Sequence, residues 1–187
     1  MTVPRELRLR GTAAGPRLVQ KPVVGLEKLR GRLRRFQGGT LGEVNAWIKR
    51  SGLQSGPLEM VIEFAPAAKG TTGVKLFKGE KEETLVAVDR EQGTISIDRT
   101  RSGNVAFHPR FRGVASVPIA RADGRVKLRL FVDTCSVEVF VNGGEQVLTA
   151  LAFPSRAGRA IEVFGPNEGA PVSAFDAWPL TSCWKAE

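Results

Sequence analysis

Tyrosine is absent from this 187-residue chain, histidine occurs once, as His108, and cysteine twice, as Cys135 and Cys183. These shortages exclude a good deal. One histidine and no Cys-x-x-Cys pair leave a structural zinc site without ligands, and no cofactor is expected. His108 stands before Pro109 with no second histidine, so no Ser-His-Asp arrangement can be built on it. The two cysteines lie far apart and read as free thiols or as partners of each other; they do not decide a redox compartment. Without tyrosine, the aromatic platform usual in sugar-binding modules is thin. Trp47, Trp178 and Trp184 offer stacking faces, but tryptophan in a sandwich more often serves the core or a domain contact. The glycines form no strand, Gly-rich loop and helix in sequence, so a phosphate loop is unsupported. No apolar run approaches the ~18 residues that cross a bilayer, so no membrane partner is expected. The first residues lack the charged and then apolar regions of a signal peptide. The compartment stays open.

What the chain has is basic charge and strand-forming runs. Lys and Arg number 28 against 19 Asp and Glu, a net charge of +9. The run Leu29-Arg30-Gly31-Arg32-Leu33-Arg34-Arg35-Phe36 interleaves basic and apolar residues, as polyanion contact requires. The remaining arginines are spread along the chain, which favours a solvated surface over a nucleic-acid groove. Apolar, partly alternating runs predict strands at 58–64, 74–77, 84–88, 94–97, 126–132, 137–141, 146–153, 161–164 and 172–178, with Pro66 ending the first. Glu6 to Arg10 and Arg17 to Lys21 predict an N-terminal hairpin within residues 1–22. Leu26, Leu29 and Leu33 stand at helical spacing, so one short helix is expected within 24–36, shortened by its glycines. The segment from Arg101 to Ala120 is long and irregular, and loops of that kind are often functional. Short strands and frequent turns over one domain-sized chain, residues 1–187, read as an all-β sandwich.

The register of the stretch Lys127 to Pro154 can be derived. A four-residue turn at Asp133-Thr134-Cys135-Ser136 pairs Val132 with Val137, Leu130 with Val139 and Leu128 with Val141. Glu138 then faces Phe131 and stands diagonal to Arg129, within reach of a cross-strand ion pair. Asn142-Gly143-Gly144 makes the next turn.

Phe131-Val132-Asp133, Ser136 to Asn142, Gly144-Glu145 and Thr149 to Pro154 together resemble a signature block of the C-terminal β-sandwich domain of glycoside hydrolase family 32, the invertases, levanases and inulinases. Met1 to Leu7 with Arg17 to Val23 resembles the segment leading into that domain, and Ile97 to Gly103 resembles its central Asp-Arg-x-x-Ser-Gly segment. The resemblance spans almost the whole chain and is weakest from Arg34 to Ser55. It implies a concanavalin-like, jelly-roll type sandwich of two antiparallel sheets that follows a five-bladed catalytic propeller. That propeller carries an Asn-Asp-Pro nucleophile, an Arg-Asp-Pro segment and an acid/base Glu followed by Cys. This sequence has no Asn-Asp, no Asp-Pro and no Glu-Cys.

A retaining glycosidase needs two carboxyls ~5–5.5 Å apart, and Asp133 and Glu138 are the nearest local pair. Their structural reading is a turn-bonding Asp and an ion-paired Glu, which outweighs a catalytic one. As sugar ligands, Asp133, Glu138 and Asn142 would accept or donate to fructose hydroxyls. Asp98, Arg99, Arg101 and Ser102 form a second polar cluster, where an Asp could orient a guanidinium toward vicinal hydroxyls, or tie the long loop to the sheet. Three roles follow from the resemblance and the charge: a non-catalytic accessory domain docked on the propeller, a module for terminal fructose of levan or inulin, or a polyanion-binding surface. Exposure of Phe131 and Phe140 would add a homodimer contact.

Overall fold

The computed structural model describes residues 2–12, 15–65, 69–119 and 124–183. Pro66, Ala120 and Trp184 of the sequence reading lie outside these. Two strands, β1 (Arg5–Thr12) and β2 (Gly15–Pro22), form a hairpin that is a sheet by itself. After a 3-10 turn (Val24–Leu29) come β3 (Arg34–Phe36), β4 (Gly39–Thr40) and the helix α1 (Leu41–Ser51). The remaining strands are β5 (Leu58–Phe64), β6 (Thr71–Lys78), β7 (Glu83–Asp89), β8 (Thr94–Arg101), β9 (Val114–Pro118), β10 (Val126–Val132), β11 (Ser136–Val141), β12 (Gln146–Leu151), β13 (Ala160–Phe164) and β14 (Pro171–Pro179).

Two antiparallel sheets make the sandwich. One has seven strands in the order β12-β11-β10-β5-β14-β3, with β4 also beside β14; the other has five, β13-β6-β7-β8-β9. Strand alternation sends Met60, Ile62, Leu128, Leu130, Val139 and Phe175 inward from the first sheet. They meet Leu76, Val86, Ile95, Ile97 and Val163 from the second in one core. The fold is the all-β sandwich that the strand pattern implies. The β10–β11 register is the derived one, with Leu128↔Val141, Leu130↔Val139, Phe131↔Glu138 and Val132↔Val137.

The helical region differs from the expectation. Residues 24–36 hold only the 3-10 turn and the strand β3, and the turn buries no side chain. Gly31 explains the change: its N–H donates to Pro179 O at 2.7 Å, drawing the chain into extended contact with the end of β14. The α-helix is α1. Thr40 and Glu43 form a reciprocal capping box, Leu41, Val44 and Ile48 face the core, and Gly52 ends the helix in the left-handed conformation at φ 66°. The irregular segment after Arg101 contains the short strand β9.

Candidate interface on the outer face of the seven-stranded sheet

The outer face of the seven-stranded sheet carries charge under cover. β5 directs Glu59 to that face, yet Glu59 is 0% exposed. Arg30 reaches it with two hydrogen bonds, Nε to Oε2 at 2.8 Å and Nη2 to Oε1 at 2.6 Å. Arg129, from neighbouring β10, donates Nε to Oε1 at 2.7 Å. The Arg30 guanidinium lies 4.2 Å from the Trp178 ring centroid, and that of Arg129 lies 5.2 Å from the Phe131 ring. The hydrogen bonds that Arg30 donates to Glu59 raise the Arg30 pKa against the opposing effect of burial. One carboxylate thus serves two guanidiniums, and Glu27 adds a second negative charge, 3.2 Å from Arg30 Nη1 and 3.8 Å from Arg129 Nη2.

Glu138 is held by a different partner from the expected one. Arg129 is committed to Glu59, so Glu138 pairs with Arg5 of the N-terminal hairpin, Nη2 to Oε2 at 2.6 Å. Val3 N donates to the other oxygen, also at 2.6 Å. Arg5 further donates to Thr149 Oγ1 at 2.9 Å and Gln20 Oε1 at 3.0 Å, and its guanidinium lies 5.3 Å from the Phe140 ring. Gln20 N bonds Gly144 O at 2.9 Å, and Arg10 pairs with Glu145 at 2.7 Å. Gly144 has φ 97°, and a Cβ there would run into Gln20 O, so this position needs glycine. Beneath the hairpin, Phe131 and Phe140 are 5% and 1% exposed. They are not the exposed contact expected for a homodimer; Arg129 and Arg5 lie over their rings.

The other sequence-selected residues lie elsewhere and do local work. Asp133, exposed in the β10–β11 turn, accepts from Thr134 N at 2.7 Å. Asn142 has φ 47°, and its Oδ1 accepts from Lys127 N at 3.0 Å, closing the next turn. Asp98 accepts from Thr100 N at 2.8 Å rather than orienting Arg99. Arg99 lies 4.5 Å from the Phe111 ring centroid, Arg101 is 3.5 Å from Glu83, and the Ser102 hydroxyl is buried against Thr84 at 2.7 Å. The structure therefore brings Glu138 and Asn142 to the sheet and its turn, and Asp98, Arg99 and Arg101 to the end of β8. Phe107, Phe111 and Phe153 cluster beside the latter, with centroids 4.7 to 5.5 Å apart. Trp47 packs on Phe36 and Phe175 in the core. Cys135 and Cys183 are exposed free thiols. Among the described residues no group of three or more His, Cys, Asp or Glu is placed to hold a metal, and no helix is long and apolar enough to cross a membrane.

Two features of this surface escape sequence reasoning. Glu59 reads as an ordinary solvent-facing strand residue, and only the cover by Arg30 and Trp178 makes it a buried anchor. The hairpin itself was legible, but not the apolar face it exposes: Leu7, Leu9 and Leu18 are 62%, 78% and 48% exposed. The register Leu7↔Gln20 and Leu9↔Leu18 puts all three on one face, with Glu6, Arg8 and Lys21 on the other.

Residues 25–179 match the family described as glycosyl hydrolases family 32 C terminal. The chain is 36% identical over 186 residues to the levanase of Bacillus subtilis (strain 168), covering 98% of this chain and 27% of that protein. It is 30% identical over 195 residues to the extracellular exo-inulinase inuE of Aspergillus niger, covering 98% of this chain and 35% of that one. The crystal structure of exo-inulinase from Aspergillus awamori superposes with a TM-score of 0.77 at 27% identity, over 98% of this chain and 36% of that chain. The chain thus spans only about a quarter to a third of the length of these relatives.

Proposed function

The chain belongs to the family of glycosyl hydrolase family 32 C-terminal domains, and from that premise we propose that it is a non-catalytic accessory domain of a β-fructosidase acting on fructan or sucrose, docked on a catalytic propeller that it stabilises. The observation that carries this reading is the N-terminal hairpin. It lies outside the residues matched by the family, yet the similarity to the levanase runs across it. Among the described residues it pairs with no third strand, and its leucine face is bare. A two-stranded sheet with an exposed apolar face is marginal alone and is completed by a neighbour. Arg5 and Gln20 tie the base of the hairpin to the sandwich, while Leu7, Leu9 and Leu18, on the same face but nearer the tip, stay exposed and free for a partner.

The carboxylates near this surface hold structure together. Glu59, Glu138, Glu145 and Asp176 are each bound by a guanidinium, from Arg30 and Arg129, Arg5, Arg10 and Arg35 respectively. That is cohesion and not the acid and nucleophile pair of a glycosidase. The test is to mix this chain with the propeller portion of the Bacillus subtilis levanase made without its own C-terminal unit. We expect co-elution on size exclusion and a rise of several degrees in the propeller's Tm, both lost in a Leu9→Glu, Leu18→Glu double variant. Failure to associate, or association indifferent to those leucines, would remove the reading.

A further inference from the structure

On the outer face of the seven-stranded sheet, beside the hairpin, the structure holds a recess of about 530 Å³. Trp178 and Phe140 contribute aromatic walls, and five cations line it: Arg8, Lys21, Arg30, Lys127 and Arg129. Its two carboxylates are already committed. Glu6 accepts from Arg8 at 3.0 Å, and Asp176 receives Arg35 through two hydrogen bonds of 2.7 and 2.9 Å. Lys21 and Lys127 are exposed, and neither side chain has an ion pair or hydrogen bond among the described residues. Arg129 Nη2 is a buried donor that makes no hydrogen bond. Its 3.8 Å ionic contact with Glu27 is too long for a hydrogen bond; buried donors are nearly always hydrogen-bonded, so this nitrogen, in a residue lining a cationic recess, points to an acceptor from outside the chain.

We propose that this recess binds a small organic anion, whose carboxylate or phosphate is held by Lys21, Lys127 and Arg129 and whose body lies against Trp178. The volume is that of a ligand pocket and suits a molecule of hexose phosphate or citrate size. The planar, delocalised guanidinium and the two ammonium groups favour an oxyanion over a neutral polyol. The site does not depend on the docking reading. It uses the Glu6, Arg8 and Lys21 face of the hairpin, whereas docking uses the leucine face, so the two surfaces share no side chain.

Calorimetric titration of the full chain decides it, with citrate and glucose 6-phosphate as probes and glucose as the uncharged control, at fixed ionic strength. One-to-one saturable binding of at least one anion is expected, with none for glucose. Lys21→Glu and Lys127→Glu, both at exposed positions, should each weaken it about ten-fold or more. Lys81→Glu, which removes a lysine away from the recess, should leave it unchanged. Absence of saturable binding to either anion overturns the proposal, as does equal loss in the Lys81→Glu control. The charge variants should still associate with the propeller. Loss of anion binding and loss of docking therefore fail independently.

Discussion

Glu59 shows how one residue sets the character of this surface. A carboxylate on the outer face of a strand would ordinarily be solvated, and its worth as an ion pair would be small. Here it is fully buried between two arginines, and each guanidinium is also stacked on an aromatic ring. Removing one partner of such an arrangement costs far more than the pair contributes, because the charges left behind have no compensation. Glu59→Ala should therefore lose about 3–5 kcal/mol, read as a fall in the denaturant midpoint with little change in m. Glu162 is a milder case. Burial pushes its carboxyl up, but hydrogen bonds from Lys75 and Lys78 outweigh that and hold it below its ordinary value. Which arginine serves which carboxylate was not legible in the sequence. Glu138 and Arg129 were diagonal neighbours as the register required, yet a second acceptor, Glu59, captured Arg129 from the other side.

At the scale of elements, α1 protects the sandwich edge. β13 ends the five-stranded sheet, and an unpaired edge invites association with another chain. Asn45, on α1, closes it by imitating a strand: its Nδ2 donates to Val163 O at 2.7 Å and its Oδ1 accepts from Val163 N at 2.8 Å. Asn45→Ala should cost about 1–3 kcal/mol by leaving these backbone groups unpaired, and should raise concentration-dependent aggregation in light scattering. The cap of this helix was written in the chain as Thr40-x-x-Glu43 with Gly52 at the far end. The leucine spacing at 26, 29 and 33 was the stronger apolar signal but failed, since periodicity makes a helix only where its apolar stripe finds a core. Residues 24–29 find none.

For the whole molecule, the hairpin and the sandwich are separable in their packing. No described hairpin residue belongs to the central core cluster, and the family match begins after the hairpin. A chain of residues 25–187 should keep its β-sheet circular dichroism. Loss of the hairpin uncovers Phe140 and deprives Glu138 of Arg5, so we expect a Tm lower by several degrees and stronger binding of a hydrophobic dye. The sequence by itself determined the sandwich class, the described strands other than β3, β4 and β9, the β10–β11 register and the family. Those features follow from period-two alternation, turn residues and local motifs, which act over a few neighbouring positions. The tertiary structure alone decided which arginine met which carboxylate, that Phe131 and Phe140 were covered while Leu7, Leu9 and Leu18 were not, and that a cationic recess opened beside the hairpin. Each of these depends on segments separated in the chain, by 29 residues for Arg30 and Glu59, 70 for Arg129 and Glu59 and 133 for Arg5 and Glu138, meeting on one face; burial and charge pairing are properties of that meeting and not of either segment.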